Sequence, residues 1–273
     1  MLLANSGGPP VVGIIVNPSP YWPDLTASVD GWKQMIAAAR DSGLRNIPEA
    51  ATGSAGEPLV RPADGDIEHT TPNKSNGAKL LLDLSARFGL PWRPLVVVTG
   101  SRLTDVADAY LMDRTVADRL VVVSSLGASS AAGGGVMGWP NGEIDPWAGW
   151  IVGQRFRYIQ VNGYYEQLND VTAAKAADLP ANPFGAWMAA KVSSLFQIAM
   201  SSDQIGVLAV GAPTFVTAVG RAVVDTTAAF DPMTGPPLSA QADGSAWVVP
   251  SCDTGMAADR LWQMLLDPHT FGR

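Results

Sequence analysis

The sequence predicts an α/β protein with an open, mostly parallel sheet flanked by helices, in a single domain over residues 1–273. The first observation is a strand–helix–strand pattern, in which two runs of apolar, mostly β-branched residues, 95–98 and 120–123, enclose a helical pattern. Such a unit is the building block of a parallel sheet. The second is the composition: 47% hydrophobic and 16% charged residues are typical of a chain that buries a sizeable core.

The pattern of apolar residues also predicts the other helices and strands along the chain. Apolar residues at helical spacing, bounded by Asp, Ser or Gly, predict helices, and short apolar runs between turn residues predict strands. The predicted helices are 1–8 (its last turn), 23–41, 78–88, 104–111, 183–200 and 253–266, and the predicted strands are 11–16, 95–98, 120–123, 156–162, 217–224 and 246–249.

Several of these elements carry specific expectations. The 95–98 strand should be buried on both faces, because it is continuously apolar. Thr104 or Asp105 should cap the helix that follows it, and Asp145 should begin another helix before Pro146. Within three of the helices, large apolar residues should face inward: Trp32, Phe88 and Met256.

The composition also excludes several classes of protein. A formal net charge of −7 and a pI of about 4.7 argue against a nucleic-acid partner, since a phosphate backbone requires a basic surface. The single cysteine, Cys252, excludes an intrachain disulfide framework and fits a reducing compartment. Residues 120–142 are uncharged but too rich in Gly and Ser for a membrane span, and no signal segment opens the chain. We therefore expect a soluble, cytoplasmic protein with no membrane partner.

Three short motifs do not match a catalytic signature. Gly133 to Gly135 is not followed by the Gly-Lys-Ser/Thr of a phosphate loop. Ser124-Ser125 lacks the Gly-x-Ser-x-Gly turn of a nucleophilic serine, and Cys252 has no neighbouring histidine.

A longer pattern resembles a known family. Thr99-Gly100-x-x-Leu-Thr-Asp, a helix, an apolar strand, a Gly-rich loop and Asn141-x-x-x-Asp-Pro-x-Ala follow one another as in the inosine–uridine-preferring nucleoside hydrolases. The earlier phrase Val-Gly-Ile-x-Val-Asn, which ends at Asn17, also looks like the second strand of that family. The resemblance implies a nucleoside hydrolase-like sheet and hydrolysis of the N-glycosidic bond of ribonucleosides by water that a calcium ion activates.

The resemblance also assigns roles to residues. By analogy with the family, Asn17 and Asn141 would hold the sugar, and His69 would lie at the rim of the site. Asp203 would bind Ca²⁺ through its carboxylate and Thr99 through its backbone carbonyl.

Trp139 is a further substrate-side candidate. An aromatic ring at this point could stack on a base or a sugar, although tryptophans are more often core residues. Other candidates also have structural interpretations. Asp203 could be an exposed helix cap, Thr99 a turn residue, and the loop around His69 a solvated loop that binds no metal.

The sequence also departs from the family pattern. The family's Asp-x-Asp-x-x-x-Asp-Asp calcium loop would precede Met1, so we expect the first strand and the main metal loop to be missing and Ca²⁺ binding to be weak or absent. Ser202 stands in place of a histidine, Trp139 in place of a glutamate, and Gly133 in place of an asparagine.

Two functional hypotheses remain open at this point. The first is a nucleoside hydrolase-like enzyme that acts on a small-molecule nucleoside. The second is a catalytically silent relative that binds a sugar or a nucleoside or acts as a structural subunit. The resemblance implies a homo-oligomer, and a missing first strand would leave an unpaired sheet edge that favours self-association.

Overall fold

The computed structural model describes residues 1–5, 7–19, 22–125, 144–161, 173–195, 204–231 and 238–267. Its helices are α1 (Leu2–Asn5), α2 (Leu25–Asp41), α3 (Asn76–Phe88), α4 (Thr104–Met112), α5 (Val116–Arg119), α6 (Pro146–Arg155), α7 (Ala173–Ala176), α8 (Pro183–Leu195), α9 (Gln204–Gly211) and α10 (Thr254–Leu266). Its strands are β1 (Ile14–Val16), β2 (Ala50–Thr52), β3 (Leu95–Thr99), β4 (Leu120–Ser125), β5 (Arg157–Val161), β6 (Val216–Val224), β7 (Leu238–Ala240) and β8 (Ala246–Cys252).

The larger sheet has the strand order β3-β4-β5-β8-β6-β7. Its first four strands are parallel, with Val97 opposite Val122 and Val123 opposite Ile159. β6 runs antiparallel to both β8 and β7, so the sheet is mixed. The predicted α/β class with a mostly parallel sheet and flanking helices is confirmed.

Helices cover both faces of this sheet. Successive residues of each strand point to opposite sides, so each strand contributes side chains to both layers of packing. On one side, Val122 and Tyr158 pack with α3, α4, α5 and α6. On the other side, Val123 and Val161 pack with α2, α8, α9 and α10. The result is three layers with an apolar core on each side of the sheet.

β1 and β2 form a separate two-stranded parallel sheet. Ile15 packs into the first core and Ile14 into the second, so the small sheet continues the same three layers. In the described part of the chain, β1 pairs with β2 alone and β3 with β4 alone.

The open edge of β3 corrects one expectation. Val96 is 41% exposed, so the 95–99 strand is not buried on both faces. A continuous apolar run is typical of an interior strand, but β3 ends the larger sheet and lacks a hydrogen-bonded neighbour on one side among the described residues.

Most helix ends follow the local signals. Asp24, Asp145 and Asp253 each accept a hydrogen bond from the backbone N–H three residues on and so cap their helices, as predicted for Asp145. Gly43 has a φ of +92°, a left-handed conformation that suits glycine, directly after the end of α2.

Four expectations about helical residues are wrong. Thr104 and Asp105 do not cap α4, because they lie inside its first turn, where their side chains have other partners. Phe88 and Met256 are exposed, and each lies in a terminal turn. Trp32 shares the buried stripe of α2, but its large ring remains 37% exposed.

None of the helices in these described ranges combines the length and the apolar character needed to cross a membrane.

Candidate functional site

The candidate site lies at the carboxyl ends of the parallel strands. Asn17 directly follows β1, and Gly53 and Ser54 follow β2. Thr99 is the last residue of β3 and Ser124 lies next to the end of β4. In open α/β sheets, ligands bind at this edge.

Asn17 belongs to a hydrogen-bonded group that joins the small sheet to α4. The Ser54 hydroxyl donates to Asn17 Oδ1 over 3.2 Å. The Asn17 side chain lies beside Asp105, since a Cβ atom on Gly53 would lie 2.0 Å from Asn17 Oδ1 and 2.6 Å from Asp105 Oδ2, and hydrogen bonding from Asn17 acts to lower the pKa of the Asp105 carboxyl. The backbone N–H of Ser54 donates to Asp105 Oδ2 over 3.3 Å. The ends of β1 and β2 are therefore tied to the first turn of α4.

Asp105 is the centre of this group and is 3% exposed. The Ser75 hydroxyl donates to its Oδ1 over 2.7 Å. A Cβ atom on Gly77 would lie 2.4 Å from Asp105 Cγ, and one on Gly53 would lie 2.6 Å from Asp105 Oδ2. The two glycines leave room for the carboxylate, which explains why these positions have no side chain.

The pKa of Asp105 is raised above the ordinary aspartate value. The main cause is burial, which penalises the charged form, and the nearby Asp108 carboxylate adds to it. The hydrogen bonds from Ser75, Asn17 and Ser54 favour the charged form and oppose the rise.

A neighbouring carboxylate holds the segment before α3. Asp108 is fully buried and accepts hydrogen bonds from the backbone N–H groups of Lys74 and Ser75 over 3.1 and 2.7 Å. These bonds place the Ser75 hydroxyl, which then donates to Asp105.

Asp145 is the third buried carboxylate of this region. Besides capping α6, it accepts a hydrogen bond from the Leu59 N–H over 3.0 Å and another from the Thr104 hydroxyl over 2.6 Å. Burial raises its pKa, while these three bonds and the charge of Arg102 oppose the rise.

Arg102 links the loops that follow β1 and β2. Its guanidinium donates to the Pro18 carbonyl over 2.9 Å and to the Gly56 carbonyl, and the residue is 7% exposed. Burial lowers the pKa of Arg102, whereas the charges of Asp145 and Asp105 raise it. Arg102 therefore offsets part of the negative charge in this region.

Three polar residues form a row across the larger sheet. Thr99 lies opposite Ser124 and Ser124 opposite Gln160, all on the face that also carries Val97 and Val122. The Thr99 and Ser124 hydroxyls are buried and have no hydrogen-bond partner within the described ranges.

His69 lies in a 3₁₀ turn from Ile67 to His69 and is exposed. Its Nδ1 is 2.7 Å from Asp64 Oδ2 and 4.0 Å from Asp66. The hydrogen bond with Asp64 raises the pKa of His69. Its hydrogen bonds and ion pairs in the described part of the chain do not reach Asn17.

The other predicted site residues, Asn141, Trp139 and Asp203, lie outside the described residues, as do Gly133 and Ser202. The structure thus describes Asn17, Thr99 and His69, and it places the first two at the same edge of the fold.

The described residues do not fit a calcium site by themselves. Within those ranges no group of three His, Cys, Asp or Glu side chains could hold a metal ion. Asp105 and Asp145 already accept hydrogen bonds with both carboxylate oxygens. Calcium needs six to eight oxygen ligands, and Thr99 alone among its predicted ligands is described.

Sequence reasoning missed the residues that organise Asn17. Asp105 and Asp108 are three positions apart in a helix that is otherwise largely apolar, and this spacing places both on one buried face. Two acids on the buried face of a helix that follows an apolar strand were the available signal.

The fold matches that of solved nucleoside hydrolases. Searches with the sequence find no matching protein-family model and no matching curated protein. An inosine–guanosine nucleoside hydrolase is similar in structure, with a TM-score of 0.65, 16% identity and coverage of 97% of this chain and 93% of the other.

Two further solved structures share this fold. A plant nucleoside hydrolase has a TM-score of 0.59 and 17% identity, over 95% of this chain and all of the other. A purine-preferring ribonucleoside hydrolase from Gardnerella vaginalis has a TM-score of 0.61 and 15% identity, over 98% of this chain and 94% of the other. At such identities the likeness shows a shared fold.

Proposed function

We propose that this protein is a nucleoside hydrolase-like enzyme that binds a ribonucleoside at the carboxyl edge of β1 to β4 and hydrolyses its N-glycosidic bond. The observation that carries the proposal is the position of Asn17. Its side-chain amide is held at this edge by Ser54 and Asp105, in a fold shared with nucleoside hydrolases.

Breaking an N-glycosidic bond makes three demands. The sugar hydroxyls must be held, the leaving base must be stabilised or protonated, and a water molecule must be activated. An asparagine amide suits the first demand, because it offers both a donor and an acceptor to hydroxyl groups. In the proposal, Asn17 and Asn141 hold the sugar, His69 lies at the rim, and Trp139 stacks on the base or the sugar.

In this proposal, Thr99 and Asp203 would contribute to a calcium site. A divalent cation there would lower the pKa of a bound water. The described residues do not complete such a site. In the proposal they therefore bind and orient the sugar, and they take no part in the activation of water.

A second candidate is a catalytically silent relative that binds a sugar or a nucleoside, or acts as a structural subunit, in a homo-oligomer. The hydrogen bonding of the buried carboxylates favours it. Asp105 and Asp145 are occupied by donors from the protein itself, so in this arrangement they are not free to act as a general base or a metal ligand.

Calorimetric titration with inosine and uridine, alongside a hydrolysis assay with and without added Ca²⁺, separates the two candidates. Turnover supports the enzyme, and binding without turnover supports the silent relative. Asn17→Ala should weaken nucleoside binding by up to about tenfold, the usual size of a lost hydrogen bond. Asn73→Ala is the matched control, since Asn73 is exposed and bonds to the Glu57 carbonyl. Equal affinities for the two variants would remove Asn17 from the site.

A further inference from the structure

We infer that Asp105 is a positioning residue of this site, which fixes the orientation of the Asn17 side chain so that one amide N–H is presented to a hydroxyl group of the sugar. The inference rests on the proposed function for the identity of the ligand. The orientation of Asn17 itself follows from the contacts of the described residues.

The orientation of an asparagine amide depends on its neighbours. The group can turn by 180° and exchange its oxygen and its nitrogen, and the two ends differ in hydrogen bonding. Ser54 cannot choose between them, because its hydroxyl can either donate to the oxygen or accept from the nitrogen. Asn17 therefore needs a second neighbour whose role is fixed.

Asp105 supplies that neighbour. While its carboxylate is ionised, Asp105 only accepts hydrogen bonds, so it requires the NH₂ end of Asn17 to face it. This places Asn17 Oδ1 toward the Ser54 hydroxyl, at the observed 3.2 Å. One of the two amide hydrogens then faces Asp105, which leaves the second for a ligand.

The carboxylate of Asp105 is itself held in place. Ser75 donates to one of its oxygens over 2.7 Å and the Ser54 N–H to the other over 3.3 Å. Gly53 and Gly77 allow the backbone of two loops to approach it closely. Asp105 is buried, whereas Asn17 is half-buried, so Asn17 has a surface from which a ligand can be reached.

A sugar hydroxyl is the ligand group that fits this arrangement. It can accept from the free Asn17 N–H while its own hydrogen remains available to another acceptor. A fixed donor costs little entropy on binding, which is the advantage of a pre-organised site.

The test combines binding with the spectrum of the Asn17 amide. In protein labelled with ¹⁵N-asparagine, the Asn17 side-chain signals are identified by their loss in Asn17→Ala. Asp105→Asn keeps the shape of the side chain but adds a donor. It should move or broaden the Asn17 amide signals and weaken inosine binding about tenfold.

Asp145→Asn is the matched control. Asp145 is also a buried acid of this region, but it bonds to Leu59, Thr104 and Ala148 rather than to Asn17 or to the groups that hold Asp105. This variant should leave the Asn17 side-chain signals near their wild-type positions. If both variants disturb these signals equally, Asp105 has only a general structural role and the inference is overturned.

A double-mutant cycle tests the route of the effect. If Asp105 acts through Asn17, Asp105→Asn should have little further effect on inosine affinity in the Asn17→Ala background. An equal loss in both backgrounds overturns the inference. If the wild-type protein binds no nucleoside, the proposed function fails, and the amide spectrum still decides whether Asp105 orients Asn17.

An acid titration of the wild-type protein needs no variant. The Asn17 amide signals should shift as Asp105 becomes protonated, with Arg102 and Asp108 as the charged groups nearby. Signals that stay constant until the protein unfolds would overturn the inference, even if Asp105→Asn fails to fold.

Discussion

The buried acids of this protein are stabilised mainly by neutral donors. Asp105, Asp108 and Asp145 accept hydrogen bonds from backbone N–H groups and from the hydroxyls of Ser75 and Thr104. A buried carboxylate without such partners would be very unfavourable. Each of these acids therefore fixes the segments that donate to it, and removing one leaves several buried donors unsatisfied.

Asp145→Ala should lower the free energy of unfolding by about 3 kcal/mol, because three donors lose their acceptor and α6 loses its cap. Urea denaturation measures this change. Asp253→Ala is the control, since Asp253 caps α10 through one exposed bond to Met256, and its loss should cost about 1 kcal/mol. Equal losses would show that the bonds of Asp145 to Leu59 and Thr104 contribute nothing.

His69 should titrate above its ordinary pKa, because Asp64 hydrogen-bonds to its ring and stabilises the charged form. The stabilising interaction is present while His69 is protonated, and it is lost as the pH rises through the raised pKa. Asp64→Asn should lower the pKa of His69 in an NMR titration. Asp83→Asn, an exposed acid paired with Arg87, should leave it unchanged. A wild-type pKa at the ordinary histidine value would contradict the contact.

Asp203 gives a separate prediction at this scale. If it is a calcium ligand, Asp203→Asn should abolish any rise in Tm that Ca²⁺ produces, because ligand binding stabilises the folded state. Asp259→Asn, on α10, is a control that should keep the rise. A rise that persists in Asp203→Asn would remove Asp203 from the metal site.

At the scale of single elements, the helices and strands follow the sequence closely where their causes are local. Asp24 and Gly43 bound α2 through contacts within a few residues, so pattern alone predicts them. The first turn of α4 differs, since Thr104 and Asp105 find partners far along the chain. The exposure of Val96 likewise depends on which strands lie beside β3, and its own sequence does not contain that information.

The first turn of α3 should tolerate no side chain at Gly77. Alanine normally stabilises a helix by about 1 kcal/mol relative to glycine. At Gly77 the added Cβ would meet Asp105 at 2.4 Å, so Gly77→Ala should instead lower the Tm.

Gly31→Ala is the matched control for that helix prediction. Gly31 lies in the middle of α2, and a Cβ there meets no atom within 4 Å. This variant should be as stable as the wild type or more so. A stabilised Gly77→Ala would show that α3 and α4 can move apart at no cost.

On the scale of the whole molecule, the sequence predicts the layered α/β class but not the division into two sheets. The antiparallel position of β6 and β7 also depends on contacts between distant strands. Of the candidate site, Asn17 and Thr99 could be found by resemblance. The group around Asp105 could not, because it is assembled by long-range hydrogen bonds between loops.

The open edge of β3 should promote self-association, since an exposed edge strand can pair with another chain. Val96→Lys should lower the average mass measured by light scattering at high concentration. Val60→Lys is the control, because Val60 is 78% exposed but lies in a loop. A wild-type protein that is strictly monomeric at every concentration would contradict this prediction.

The division of the strands into two sheets also has a mechanical consequence. In the described part of the chain, no backbone hydrogen bonds between strands join the small sheet to the larger one. A force that pulls the two sheets apart is therefore not opposed by strand pairing. It is carried by the packing of Ile14 and Ile15 and by the hydrogen bonds of Arg102 and Asp105. We expect the protein to yield first along this line. A nucleoside that bound at Asn17 would favour the state in which the two sheets stay packed together, since ligands stabilise the state to which they bind.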